Sequence, residues 1–306
     1  MGWVRRGRLF APQGGTEWMV SHAALPVVQA RGERQRVYFS TRDAQGRARI
    51  AWFDFDPADP ERILATAPAP VLDLGTLGAF DDRGVSSSCI VSRDGRLLLF
   101  YTGWSLGVTV PFYLSIGLAL SEDDGRSFQR RSAAPVLGRS PTDPYLTASP
   151  WVLADGRSWR MWYVSCSAWR PHPDGPRHHY RICHAESADG FDWKPSGQVC
   201  IDYADESEYA FGRPCVIRDP DCYRMWYCYR GDRYRLGYAE SADGLHWERK
   251  DSELSLAGAP GEWEAGMNAY PCVFDHAGQR YMLYNGNDYG RTGIGLARFE
   301  GQAPAR

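Results

Sequence analysis

Residues Gly212–Arg249 read GRPCVIRDPDCYRMWYCYRGDRYRLGYAESADGLHWER, and the parsing of this stretch decides the fold. Pro214–Ile217 is a short apolar run that meets turn residues at Arg218–Asp221. A second run, Tyr223–Tyr229, is separated by polar Arg230–Arg233 from a third, Arg235–Ala239. A Ser-Ala-Asp-Gly turn follows, and a short segment ends on Trp247. Four brief β-rich runs divided by turn residues predict an antiparallel four-stranded meander. No helical spacing fits YRMWYCYR, whose residue types suit a pleated sheet.

The same unit recurs along the chain. One copy runs from Ala148 (ASPWVLADGRSWRMWYVSCSAW) to ICHAESADGFDW, ending at Trp193, and an earlier one from Ser86 (SSSCIVSRDGRLLLFYTGW) to Phe128. A fifth begins at Asn268 (NAYPCVFDHAGQRYMLYNGND) and closes with TGIGLARF. The first and most degenerate begins at Ala24 (ALPVVQARGERQRVYFSTRD). Repeats of this length with about four strands each predict propeller blades, not a helical solenoid. The expectation is therefore an all-β, five-bladed β-propeller of four-stranded antiparallel blades. It would be a single domain over 1–306, with blades near 21–76, 80–138, 145–202, 208–256 and 266–300. The fifth copy is one strand short, so Val4–Phe10 is expected to complete it and close the ring.

Charge and cysteine content narrow the function classes. There are 35 basic and 37 acidic residues spread throughout, a net charge of −2, which predicts neither a nucleic-acid footprint nor a membrane-binding face. The opening MGWVRRGRLFAP has no apolar signal region, and a cytoplasmic location is expected. The eight cysteines contain no Cys-x-x-Cys pair, and several lie inside apolar strand runs, as Cys89, Cys215 and Cys272 do. They are expected to be buried free thiols. The polar, proline-containing stretch Ser167–Tyr180 is expected to be a loop on one face.

Topology locates a site. In each blade the innermost strand starts on one face, and the antiparallel second strand ends on that same face. Residues before each first strand and after each second strand should ring one mouth of the axial channel. Polar, charged and aromatic residues converge there, as in a small-molecule pocket. His22, Asp81, Asp82, Thr147, Ser149, Arg213 and Asn268 fall in the first set. Arg42, Asp43, Trp104, Arg230, Asn287 and Asp288 fall in the second.

The repeating copies, the Pro-Cys-Val starts at Pro214 and Pro271, and the Ala-Glu-Ser-x-Asp-Gly-x-x-Trp turns at Ala185 and Ala239 carry a resemblance. They resemble the five-bladed β-propeller glycosidases: the arabinanase/xylosidase-like and invertase-like families and the related mannoside phosphorylases. The resemblance implies a carbohydrate-active enzyme. In arabinanase-like enzymes an Asp opens the first inner strand in an Asp-Pro pair, and an acid Glu opens a later one in Glu-Gly-Pro. Here the first position carries His22 ahead of Ala-Ala-Leu-Pro, and the later one reads Gly212-Arg213-Pro214. Thr41-Arg42-Asp43 is similar to the Arg-Asp-Pro motif of invertase-like enzymes, with Ala44 replacing the proline.

Glycoside hydrolysis requires two carboxyl groups flanking one sugar bond, about 5–5.5 Å apart for retention or ~6.5–9.5 Å for inversion. The catalytic candidates are Asp82, Asp43, Glu208 and Glu264, with His22 as a base or hydrogen-bond donor. Adjacent residues in an extended chain point to opposite sides, so Asp82 is expected to face the channel while Asp81 caps the turn. Arg42, Arg213 and Arg230 come from different blades, and such a cluster would bind a carboxylate or phosphate. Trp104 and Trp169 are placed to stack on a sugar or base. His172, His178, His179 and His184 lack a zinc ligand pattern and are expected to serve a substrate loop, with no metal and no cofactor.

Three functions follow in order. The first is a glycoside hydrolase acting on a small glycoside or oligosaccharide. The second is a non-hydrolytic enzyme on a sugar or nucleoside (a dehydratase, lyase or epimerase). The third is a carbohydrate-binding propeller without catalysis.

Overall fold

The protein is described from a computed structural model covering residues 2–12, 14–155 and 158–301. It is all-β apart from short helical turns. β1 (Gly2–Phe10) precedes a first group of strands: β2 (Ser21–Arg31), β3 (Arg34–Arg42), β4 (Ala48–Asp56) and β5 (Asp59–Thr66). The second group is β6 (Gly84–Arg93), β7 (Arg96–Leu106), β8 (Phe112–Ser121) and β9 (Gln129–Arg130). The third is β10 (Thr147–Asp155), β11 (Ser158–Arg170), β12 (Arg177–Ser187) and β13 (Lys194–Ile201). The fourth is β14 (Ala210–Arg218), β15 (Tyr223–Arg230), β16 (Tyr234–Ser241) and β17 (Glu248–Arg249). β18 (Ser255–Ala257), β19 (Ala269–His276), β20 (Gln279–Asn285) and β21 (Ile294–Phe299) complete the chain, with a turn of helix, α1 (Asn287–Gly290), between the last two.

Within each group successive strands pair antiparallel, as the meander reading requires. The first two groups are joined into one sheet by a single parallel pair, Ala48 with Gly84. β1 pairs antiparallel with β21, with Trp3 opposite Phe299 and Arg5 opposite Ala297, so the two ends of the chain share a sheet. β18 then adds parallel to β1. Residues 255 and 256 therefore leave the fourth copy, to which the repeat pattern gave them, and with 257 edge the last sheet.

The strands carry apolar residues on both faces because each group is packed on both sides. In β15, Tyr223 and Met225–Cys228 are all buried, a near-continuous run where a one-sided sheet would show alternation. One core cluster joins the first two groups through Tyr38, Ile50, Leu99 and Tyr101. Others join the second to the third (Phe100, Met161), the third to the fourth (Trp162, Met225) and the fourth to the last (Trp226, Met282). A further cluster joins the last group back to the first through Leu283, Leu296, Phe39 and Phe53. The first strands follow the same circuit, with β2 beside β6, β6 beside β10, β10 beside β14, β14 beside β19 and β19 beside β2.

The Ser-x-Asp turns lock these neighbours together. Ser121, Ser187 and Ser241 each accept the backbone N–H of the turn glycine through Oγ, at 2.9, 2.9 and 2.8 Å. The preceding group then docks on the turn. Gln29 reaches Asp124 at 2.9 Å, Arg93 reaches the Asp189 carbonyl at 2.9 Å, and Arg160 reaches the Asp243 carbonyl at 2.8 Å.

Only residues 171–176 of Ser167–Tyr180 form the loop its polarity predicts. β11 and β12 run on as a long hairpin, with Trp169 opposite His178 and Arg170 opposite Arg177. Aromatic packing holds it: Phe112 lies 5.4 Å from Trp169, and His178 stacks on Tyr180 at 4.1 Å. Cross-strand packing of this kind overrides a polar composition.

Candidate functional site

Each first strand carries a break at the same position. The ladders skip a residue between Ala24 and Val27, Ser87 and Cys89, Ala148 and Trp151, Gly212 and Cys215, and Ala269 and Cys272. Four of these bulges hold a non-glycine residue at positive φ before a proline: Leu25 (56°), Ser149 (49°), Arg213 (51°) and Tyr270 (56°). Proline has no N–H to offer the ladder, so it belongs at a bulge, and the bulge turns the preceding residue out of the sheet. Such conformations cost on the order of 1–3 kcal/mol each and cluster where side chains must be aimed.

Leu25, Ser149 and Tyr270 line a cavity of about 460 Å³ at the mouth where these strands begin. Its wall is largely aromatic, with Trp104, Phe112, Tyr180, Phe211, Tyr234 and Tyr289. Its charged groups are Arg42, Arg83 and Arg230, and its one imidazole is His178. No aspartate or glutamate lines it among the described residues.

The predicted site residues divide accordingly. Arg42, Trp104, Ser149 and Arg230 line the cavity. Trp104 donates from Nε1 to Ser86 Oγ at 3.1 Å, and the Ser149 N–H donates to Thr102 Oγ1 at 2.8 Å. Arg230 lies over the rings of Tyr209, Tyr234 and Tyr289 and donates to the Tyr289 hydroxyl at 2.8 Å. His22, at φ 64°, sits at the start of β2 with Nδ1 2.9 Å from Ser21 Oγ. Burial, helped by Arg42 and Arg291, pulls its pKa down to about 4 against the opposing effect of Asp288. Asp288 is exposed in α1 at φ 53°.

The predicted carboxylates are engaged elsewhere. Burial pushes the Asp43 carboxyl up, but hydrogen bonds from Arg49 and Arg47, both at 2.8 Å, prevail and hold it below the usual range. Asp81, fully buried, accepts from Tyr101 at 2.9 Å and from Arg130 at 2.7 Å. Asp82 accepts the Gly78 N–H at 3.0 Å. Glu208 is bound by both terminal nitrogens of Arg249, at 2.7 and 2.9 Å. Glu264 takes Tyr284 at 2.8 Å and Arg5 of β1 at 3.1 Å. A shared device explains four acids at once. Tyr101, Tyr163, Tyr227 and Tyr284 occupy the same place in successive second strands, and each hydroxyl donates to an acid of its own group: Asp81, Asp143, Asp251 and Glu264.

Other expected contacts also turn into scaffold. Thr147 donates to the Leu137 carbonyl at 2.8 Å, and Trp169 packs behind the cavity wall against Phe112. Asn268 donates to Glu264, and Asn287 accepts the Gly266 and Met267 N–H groups at 2.9 Å. Arg213 is fully buried and lies beyond the cavity lining, donating to the Pro26 carbonyl at 2.5 Å and the Ser87 carbonyl at 3.3 Å. Its guanidinium lies 5.9 Å from the ring of Trp151, which lines a second cavity of about 560 Å³. That cavity is lined by Val28, Leu153, Ile217 and Phe274, further along the same strands.

Position in the repeats does not mark Arg83 or the tyrosines 180, 234, 270 and 289 as pocket residues, while His178, expected to serve a substrate loop, lines the cavity. Arg83 directly follows the Asp81-Asp82 pair, whose acids are the more conspicuous candidates. His178 belongs to the stretch whose polarity predicts a loop, in the part of it that is a strand. Burial, then Arg230, His179 and Arg177, pulls the His178 pKa down to about 4, so its imidazole is neutral at pH 7. Among the described residues, no group of three or more His, Cys, Asp or Glu is placed to hold a metal ion.

Comparison with known proteins is informative for fold and family. No protein-family model matches the chain. Solved structures share its fold. A glycosyl hydrolase from Bacteroides ovatus has a TM-score of 0.71 at 13% identity, covering 100% of this chain and 95% of that one. A thermostable family-43 glycoside hydrolase has a TM-score of 0.67 at 16% identity, covering 96% and 93%. The Bombyx mori GH32 β-fructofuranosidase has a TM-score of 0.63 at 16% identity, covering 96% and 62%. The fold is that of the arabinanase/xylosidase-like and invertase-like propeller glycoside hydrolases. Two uncharacterized Mycobacterium tuberculosis proteins, MT1551 and Rv1502, are each 45% identical over 301 residues, 98% of this chain and 100% of theirs. Similarity of that degree along the full length places this chain in one family with MT1551 and Rv1502.

Proposed function

We propose that the strand groups are the blades of one five-bladed propeller domain, and that a small carbohydrate or nucleoside binds in its mouth cavity. The observation that carries the reading is the cavity wall: aromatic faces with a few converging polar groups, on a fold shared with carbohydrate-active enzymes. The eight unpaired cysteines support a reducing, cytoplasmic setting.

The chemistry best matched to this wall is non-hydrolytic. Hydrolysis through two carboxylates needs both acids to reach one glycosidic bond, and the described lining holds none. His178 places an imidazole at the cavity, and the tyrosine hydroxyls are donors beside it. The reaction class is proton transfer on a bound sugar, as in a lyase, dehydratase or epimerase. His178 is its base.

A hydrolytic reading is favoured by the fold likeness alone. Aryl glycosides and free sugars, followed in parallel by chromophore release and by NMR of the sugar, separate the two. Sugar turnover lost in His178→Gln, without aryl release, is the expected result. Aryl release that survives His178→Gln and disappears in Asp288→Asn would overturn it.

A further inference from the structure

Among the described residues the cavity is lined by three arginines and no carboxylate. Several arginines elsewhere are matched with acids: Arg36 with Asp54, Arg49 with Asp43 and Asp73, Arg249 with Glu208 and Asp251, and Arg280 with Asp219 and Asp275. At the mouth the pattern stops. Arg42 ends β3, Arg83 precedes β6, and Arg230 ends β15, so three groups of strands each send a guanidinium to one cavity. None of the three is within ion-pair distance of a carboxylate among the described residues. Arg230 meets only aromatic rings and the Tyr289 hydroxyl, and its Nε is buried without a hydrogen-bond partner.

An unpaired guanidinium held in a walled cavity has lost hydration without gaining a counter-charge. Arginine cannot relieve this by losing its proton. Three in one cavity also repel one another. The neighbouring imidazoles are drawn down by burial first and then by these cations, His178 by Arg230 and His22 by Arg42. The arrangement is satisfied by an anion whose oxygens accept from several guanidinium forks at once.

Resting on the carbohydrate reading above, we propose that Arg42, Arg83 and Arg230 form an anion subsite, so that the ligand is a sugar carrying a phosphate or carboxylate group. Trp104 and Tyr270 line the same cavity and supply faces for the sugar ring, leaving the charged group to the arginines.

Calorimetric titration of the whole chain with glucose 6-phosphate, glucuronate, glucose and inorganic phosphate, at fixed ionic strength, tests this. Glucose 6-phosphate or glucuronate is expected to bind at least tenfold more tightly than glucose, and whichever of the two is tighter identifies the anionic group. Each of Arg42→Gln, Arg83→Gln and Arg230→Gln should weaken that ligand by about ten- to a hundredfold, as loss of a hydrogen bond to a charged group does. None of these cations has a carboxylate to lose, and Arg230 gives up only an exposed hydrogen bond and its ring contacts, so the free variants should melt close to the parent, which separates a binding role from a structural one. Inorganic phosphate binding through the arginines with no sugar bound would keep the subsite and remove the carbohydrate. Glucose binding as tightly as the charged sugars, unchanged in all three variants, would keep the carbohydrate and overturn the subsite. Absence of binding by all four compounds would overturn both.

Discussion

Arg230 donates to the Tyr289 hydroxyl across 2.8 Å, linking the end of β15 to the helical turn before β21. The bond aims the guanidinium into the cavity while leaving its Nε unused. Tyr289→Phe should therefore loosen the arginine without unfolding anything, since Tyr289 is on the surface. A hydrogen bond from a charged donor is worth about 1.5–3 kcal/mol when buried and less where it is exposed, as here, so a few-fold loss of affinity for a charged sugar is expected at an unchanged melting temperature. A melting temperature that falls while affinity holds would assign the bond to the scaffold.

The tyrosine–acid pairs make the opposite prediction. Glu264→Gln removes the negative charge that Arg5 and Tyr284 share where β1 joins the last sheet. Breaking a buried ion pair from one side costs about 3–5 kcal/mol. Part of that is recovered here because Arg5 also donates to the Leu256 and Gly258 carbonyls. Chemical denaturation should show a clear loss of stability, with ligand affinity in the folded protein unchanged. Loss of binding at full stability would instead make Glu264 a ligand contact.

The N-terminal strand should be indispensable. Trp3 is fully buried between Trp226 and Phe299, at ring distances of 6.2 and 5.3 Å. Trp3→Ala removes that packing and should cost about 3–5 kcal/mol in urea unfolding. A change below about 1 kcal/mol would mean that β1 contributes little to closing the circuit of sheets.

Acid should destabilise the fold in a defined window. Burial pulls His22, His178 and His184 from the ordinary 6.5 down to about 4. Between those values the unfolded chain binds protons that the native chain does not, so stability falls as pH drops from 6.5 towards 4. Above 6.5 these groups contribute no slope. His178→Phe keeps an aromatic ring against Tyr180 and removes one titrating group. Urea midpoints between pH 7.5 and 4.5 should then fall less steeply than in the parent. An equal slope in both proteins would contradict the burial of a neutral His178.

What is legible in the sequence is what recurs in it. The meander of Gly212–Arg249 and its copies announces the strands, because turn residues and β-rich runs act locally. The missing strand of the last copy likewise points to β1. The mouth is legible as a place but not as a set of contacts. Topology puts Asp43, Asp81, Glu208 and Glu264 near the right face, yet whether a carboxylate turns to a ligand or to an arginine depends on partners far along the chain. Arg5 and Glu264 lie 259 residues apart, and Arg130 and Asp81 lie 49 apart. Ser167–Tyr180 reads as a loop throughout for the same reason, since the rings that hold its two ends as strands include Phe112. The bulges that aim Leu25, Ser149 and Tyr270 leave a trace, an Xaa-Pro pair at one position in four copies.

The most direct measurement is a crystal structure with a charged sugar, glucose 6-phosphate or glucuronate, diffused into the protein. The sugar ring is expected among Trp104, Tyr270 and their neighbours, with its anionic oxygens within hydrogen-bonding distance of at least two of Arg42, Arg83 and Arg230. A sugar seated in this cavity with its anionic group turned to solvent, or held between two carboxylates, would contradict the anion subsite.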